Sequence, residues 1–187
     1  MEEKIALNLG CGNDYRKSTK VTKWINVDNL ADFHEAKVDK NMNLNRFPYR
    51  FKTNSADEVY MNHVLEHLDD PRRVMKEVHR ILKKNGLFIL NVPYFTRGYS
   101  VHVHTRGFSI WSVLEDTKNE FVPENVELVW DHPENFTHGK FILKPFCRFW
   151  NNILNANHWF SERFLAYKFG GIFEIRFRLR KKQLLPI

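Results

Sequence analysis

The stretch from Ala56 to Val92 constrains the fold more than any other part of the chain. Ala56-Asp57-Glu58-Val59-Tyr60-Met61-Asn62 has the alternation of a short strand, and Gly86-Leu87-Phe88-Ile89-Leu90-Asn91-Val92 is apolar on both faces, as a buried parallel strand would be. Between them Val74, Met75, Val78, Ile81 and Leu82 recur at helical spacing, with Arg72, Arg73, Lys76, Glu77, Arg80, Lys83 and Lys84 on the other side. Asp69 and Asp70 are N-cap candidates, Pro71 suits the first turn, and Asn85-Gly86 is expected to end the helix. Strand, helix and strand within ~40 residues make a βαβ unit, which demands a parallel sheet with its faces covered.

Two further strands precede this unit, Ile5–Leu9 and Trp24–Asp28, and Val126–Trp130 follows it. Near the end, Phe173, Ile175, Phe177 and Leu179 alternate strictly with Glu174, Arg176, Arg178 and Arg180. Period two means one buried and one solvated face, and such a strand on a parallel sheet reads as an antiparallel edge guarded by its arginines. The aromatic stretch 141–169 reads as helical. At 187 residues the chain has the size of one domain.

Apolar residues are 43% and charged residues 27%, which excludes disorder. Two cysteines, Cys11 and Cys147, give no disulfide framework and suit a reducing compartment. No apolar run reaches the ~20 residues of a membrane-spanning helix, and the acidic start MEEKIALNLG is unlike a signal peptide, so a cytoplasmic location is expected. The net charge of +7 is concentrated: residues 138–187 hold ten Lys/Arg against two acids and 11 of the 27 aromatic residues.

Three constellations carry chemistry. Leu7-Asn8-Leu9-Gly10-Cys11-Gly12 is a strand running into G-x-G, a turn whose backbone a ligand can approach; Tyr15 stands where a dinucleotide fingerprint needs its third glycine, which disfavours a dinucleotide. Asp28 ends the next strand, sixteen residues after Gly12, where a carboxylate beside the glycine turn can accept both hydroxyl hydrogens of a ribose. Each alone is equally an ordinary turn or a solvated acid; at this spacing they support each other. The third, Asn62-His63-Val64-Leu65-Glu66-His67, also spells the H-x-x-E-H of an inverted zinc-protease motif, which would need His63 and His67 on one face of a long helix.

The text LNLGCGN at 7–13, WINVDN at 24–29, NLNRFPYRF at 43–51, SADEVYMNHVLEHLDDP at 55–71, RILKKNGLFILNVPY at 80–94 and HTRGFS at 104–109 resembles, in order, the class I S-adenosylmethionine-dependent methyltransferases of the small methyltransferase-11-like type. The resemblance implies an α/β, Rossmann-like sheet of order 3-2-1-4-5-7-6, its last strand antiparallel, with helices on both faces, and S-adenosyl-L-methionine as cofactor. It implies a cofactor-binding half at 1–93 and a substrate-side half at 94–187, with Gly10, Cys11 and Gly12 cradling the methionine part of the cofactor, Asp28 holding the ribose hydroxyls, Asn43, where relatives usually carry Asp, next to the adenine, and Asn8 and Asn29 also among the cofactor-binding residues. Asn62 and His63 match the residues beside the departing methyl. Only eleven residues, Asn13 to Lys23, separate the first two strands, room for at most a stub of the usual first helix.

Methyl transfer asks a protein mainly to align two groups, with a base where the acceptor is a hydroxyl or ammonium. His63, His102 and His104 are candidates. His104 with Phe108 and Ser109 matches an H-x-x-x-F-[ST] element of the family, making it the expected acceptor-side base. The resemblance implies a small-molecule or glycan acceptor methylated on oxygen or nitrogen; the alternatives are a catalytically inactive binding module of the same fold, which the short first connection and Asn43 leave open, and an H-x-x-E-H zinc hydrolase. The basic, aromatic last quarter, with Lys140, Lys144, Arg148, Arg163, Lys168, Trp150 and Trp159, is a candidate surface for nucleic acid or an anionic membrane.

Overall fold

Strand β4 (Ala56–Asn62), helix α1 (Pro71–Ile81) and strand β5 (Leu82–Pro93) form the expected βαβ unit in a computed structural model that describes residues 3–29, 37–95, 107–129, 143–165 and 172–183. The Asp70 side chain accepts from Arg73 N, and Pro71 occupies the first turn, so both start signals act as read. The stop signal does not. The helix ends at Ile81, and Leu82 turns into the sheet to pair with Ala56. The pairing then jumps to Glu58 with Leu87, so Asn85 (φ 59°) and Gly86 serve to loop out residues inside β5 rather than to cap the helix.

With β1 (Lys4–Leu9), β2 (Thr22–Asp28), β3 (Lys40–Asn41), β6 (Phe121–Val129) and β7 (Glu174–Lys181), the sheet has the order β3-β2-β1-β4-β5-β7-β6. All neighbours are parallel except β7, which runs antiparallel to both β5 and β6. Order and direction are those the resemblance implies. The edge position read from the alternation is not: β7 lies inside, and β6 is the outer strand. Alternation reports two unlike faces, and the arginines of β7 mark a polar face rather than an open edge. The edge is protected at Leu128, whose N–H donates to Asn155 Oδ1 and whose carbonyl accepts from Asn155 Nδ2, both at 2.8 Å.

One face of the sheet is core. Leu7, Val59, Met61, Phe88, Leu90, Phe177 and Leu179 are fully buried there, in one cluster with Val74, Val78 and Ile81 of α1 and Ile110 and Val113 of α2 (Ile110–Thr117). The opposite face is polar, row by row. Asn26, Asn8, Tyr60, Ile89, Arg178 and Asn125 are cross-strand neighbours, and so are Asn62, Asn91, Arg176 and Glu127. Over β1 and β2 this face is covered by the irregular segment 12–21, the short connection that left no room for a helix. Asn8 Nδ2 donates to Asp14 O, Asn26 Nδ2 to Arg16 O, and the Arg16 guanidinium lies 3.6 Å from the centre of the Tyr60 ring.

Because β6 runs parallel to β5, its last residue, Val129, reaches the carboxyl edge of the sheet and pairs there with Glu174, where β7 begins. Between β6 and β7 in the chain come helix α3 (Leu143–Ala156), His158–Phe160 and the π-helical Ser161–Leu165. The helical reading of this aromatic stretch holds over its described residues.

Candidate active site at the carboxyl edge

The turn after β1 is built by φ values that favour glycine, 72° at Gly10 and 46° at Gly12. The two glycines differ in what surrounds them. A Cβ on Gly10 would stand 2.4 Å from Val64 Cγ2, so Gly10 is bare for packing, not for a ligand. A Cβ on Gly12 would meet nothing within 4 Å. Gly12 N–H donates to Asp28 Oδ2 at 2.6 Å, and Asn29 N–H to Asp28 Oδ1 at 2.7 Å. The carboxylate is thus pinned at the glycine turn with one oxygen on each amide, leaving lone pairs on both for further donors. Asn8 and Cys11 are 1% and 3% exposed. Asn8 spends its amide on Asp14 O and on Asn26 Oδ1 (3.0 Å), which makes it a support for the turn. Burial and the nearby Asp28 push the Cys11 thiol up to about 11, so it is a neutral thiol.

Beyond Asp28 the rim continues into a cavity of about 560 Å³, bordered by Asn29, Met42, Asn43, Arg46 and Phe47. Met42 N–H donates to the Asp28 carbonyl (2.9 Å), which fixes this wall to β2. Asn43 Oδ1 accepts from Asn45 N (2.8 Å), an Asx turn that leaves the amide NH₂ as the part of the side chain offered to a ligand.

On the other side of the turn, Asn62 ends β4 and His63 follows with φ 52°, a left-handed conformation that costs a non-glycine residue about 1 kcal/mol. It is held by His63 N–H donating to Asn91 O (3.0 Å) and by the ring. Nε2 lies 2.7 Å from Glu174 Oε2, and Nδ1 3.4 Å from Glu66 Oε1. Glu66 and Glu174 are 0% and 1% exposed. Burial alone would push the imidazole down, but hydrogen bonds to Glu174 and Glu66 outweigh it and lift it from 6.5 to about 9. His63 is therefore an imidazolium between two carboxylates at neutral pH. Asn91 Nδ2 donates to Asn62 Oδ1 (2.9 Å), while the Asn91 Oδ1 atom is buried with no protein donor. These residues wall a cavity of about 800 Å³ that runs along the polar face past Arg176 and Arg178.

The H-x-x-E-H spelling does not build a zinc site. Leu65–His67 is one 3₁₀ turn, His63 precedes it in the left-handed region, and its ring is committed to Glu66 and Glu174. Among the described residues, no group of three or more His, Cys, Asp or Glu side chains could hold a metal. His102 and His104 lie outside the described residues. Sequence reading missed Glu174 and Asn91 as site residues. Glu174 fell on the solvated side of the alternation yet is buried by pairing with His63 and Arg176, and an asparagine inside the apolar run of β5 was the available signal for Asn91.

A family profile described as "Methyltransferase domain" matches residues 7–90, the segment that holds the glycine turn, Asp28, Asn43, Asn62 and His63. Over residues 7–90 this chain is thus similar to a methyltransferase domain. Solved structures share the fold. A SAM-dependent methyltransferase from Archaeoglobus fulgidus superposes with a TM-score of 0.62 at 17% identity, covering 96% of this chain and 86% of that one. An S-adenosylmethionine-dependent methyltransferase from Mesorhizobium loti gives 0.58 at 14%, covering 95% and 91%. Phosphoethanolamine N-methyltransferase 2 of Haemonchus contortus, solved with S-adenosyl-L-methionine, gives 0.58 at 16%, covering 97% of this chain and 49% of that one. At these identities the likeness is one of fold. A comparison with curated proteins finds no match. The residues of this rim fit S-adenosylmethionine: the Gly12 backbone opens onto free space, a pinned carboxylate stands beside it, and a cavity continues from the carboxylate toward Asn43.

Proposed function

We propose that this chain is an S-adenosylmethionine-dependent methyltransferase that methylates an oxygen or nitrogen of a small-molecule or glycan acceptor, held on the polar face beside Asn62 and His63. One observation carries the reading: the Gly12–Asp28 rim and the 800 Å³ cavity meet the same carboxyl edge on either side of the β1 and β4 ends. S-adenosylmethionine, when bound, supplies an electrophilic methyl carbon on a sulfonium. Gly12 and Cys11 would border its methionine part, Asp28 would accept from the ribose hydroxyls, and Asn43 would flank the adenine, with Asn29 beside them.

The remaining work is alignment and exclusion of water, worth several kcal/mol (~7 or more for a well-oriented pair). His63 is a positioning residue in this scheme. Charged and locked between Glu66 and Glu174, it fixes the end of β4 and has no lone pair for an acceptor proton near neutral pH. His104 is the proposed acceptor-side base, and a cytoplasmic setting keeps the Cys11 thiol reduced. The test is mass-spectrometric detection of a 14-dalton gain across a panel of sugars, sugar phosphates and small amines and alcohols. His104→Ala should lower turnover while leaving cofactor affinity unchanged; unaltered turnover removes His104 from the scheme, and transfer to none of the panel removes the acceptor class.

A further inference from the structure

The helical segment after α3 wears its apolar side outward. Trp159, Phe160 and Phe164 are 54%, 46% and 45% exposed, whereas Ser161 is 0% exposed. The inward polar groups are firmly tied: Ser161 Oγ donates to Leu154 O (2.9 Å), and Glu162 Oε1 accepts from Ile110 N (2.8 Å). Asn157 caps the segment by accepting from Phe160 N (3.0 Å). The outward rings are thus presented by a fixed scaffold rather than left out by poor packing. A soluble surface of this kind normally inverts that pattern, and clustered exposed rings mark a contact surface.

The Arg163 guanidinium is 5.8 Å from the Trp159 ring centre, and Arg148 and Phe149 (58%) are exposed on the preceding helix, α3. The sole acid of residues 143–165 is Glu162, which points inward. Bulky rings flanked by arginine and free of outward acids are the composition that enters the headgroup region of an anionic bilayer. The alternatives fit less well. Trp159 meets Phe164 at 65° and Phe160 meets it at 31° (6.0 and 5.2 Å between centres), so the rings form one clustered apolar surface rather than a row of separate platforms for successive nucleic-acid bases. A second copy would bring like charge against like.

We propose that Trp159, Phe160, Phe164, Arg148 and Arg163 form a peripheral docking surface for anionic lipid membranes. No helix among the described residues is long and apolar enough to cross a membrane, so the contact is with the surface.

The test is co-sedimentation of the full chain with vesicles of phosphatidylcholine alone and of phosphatidylcholine mixed with phosphatidylglycerol, with Trp fluorescence read in parallel. Binding is expected only to the mixed vesicles, with a blue shift, and Trp159→Ala should weaken it about tenfold, as loss of one inserted ring predicts. Arg148→Glu with Arg163→Glu should abolish it. Titration with S-adenosylhomocysteine confirms that each variant is folded. Sedimentation with neither vesicle, or equal sedimentation with both that the variants leave unchanged, overturns the proposal. So does a wild-type dimer that Trp159→Ala turns into a monomer, or RNA that binds the patch in place of lipid.

Discussion

Replacing His63 by Asn tests whether the Glu66–His63–Glu174 cluster is charged. Asparagine tolerates the left-handed backbone found there, so the change removes the imidazolium without forcing the chain to move. The folded-state pKa of His63 is raised above 6.5 to about 9, so its stabilisation is fully present below 6.5 and is lost as pH rises through about 9. At ~1.4 kcal/mol per pH unit that interval is worth about 3 kcal/mol, trimmed somewhat because the ring keeps 29% of its surface in water. Urea unfolding should therefore find His63→Asn about 3 kcal/mol less stable than wild type just below pH 6.5, with the gap nearly closed above pH 9. Two-dimensional NMR of the imidazole should show it still protonated at neutral pH. A gap independent of pH, or a ring titrating near 6.5, would refute the charged cluster and return His63 to the list of bases.

The two glycines should separate in experiment. Gly10→Ala drives a Cβ into Val64 and should cost about 3 kcal/mol of stability, seen as a lower urea midpoint. Gly12→Ala meets open space, so it should cost only about 1 kcal/mol from its positive φ yet weaken cofactor binding more than Gly10→Ala does in the folded fraction. Asn155→Ala strips both partners from Leu128 on the outer strand; about 2 kcal/mol of stability should go, with faster amide exchange at Leu128 as the local sign.

What could be read from the sequence was what short-range chemistry dictates. The period of Val74, Met75, Val78 and Ile81, the Asp70-Pro71 start and the glycine turn after Leu9 each act locally, and each stands as read. Asn85-Gly86 was misplaced because the same dipeptide closes a helix or loops out a strand, and only the partner strand decides which. The inner place of β7 was likewise hidden from its own alternation, since Ile175, Phe177 and Leu179 would be buried on one face at either position. In the site, Gly12 and Asp28 met as their spacing suggested, but the neighbours that set the charge of His63 came from Glu174, 111 residues away. No pattern around His63 pointed there.

In the proposed function the Gly12–Asp28 rim grips the adenosyl group. Calorimetric titration of the full chain with S-adenosylhomocysteine measures it most directly. Wild type should take up one equivalent, and Asp28→Ala, with its fold verified by circular dichroism, should bind about a hundredfold more weakly, the loss of two hydroxyl hydrogen bonds to a carboxylate. Undiminished binding by Asp28→Ala, or none by wild type, would contradict the account.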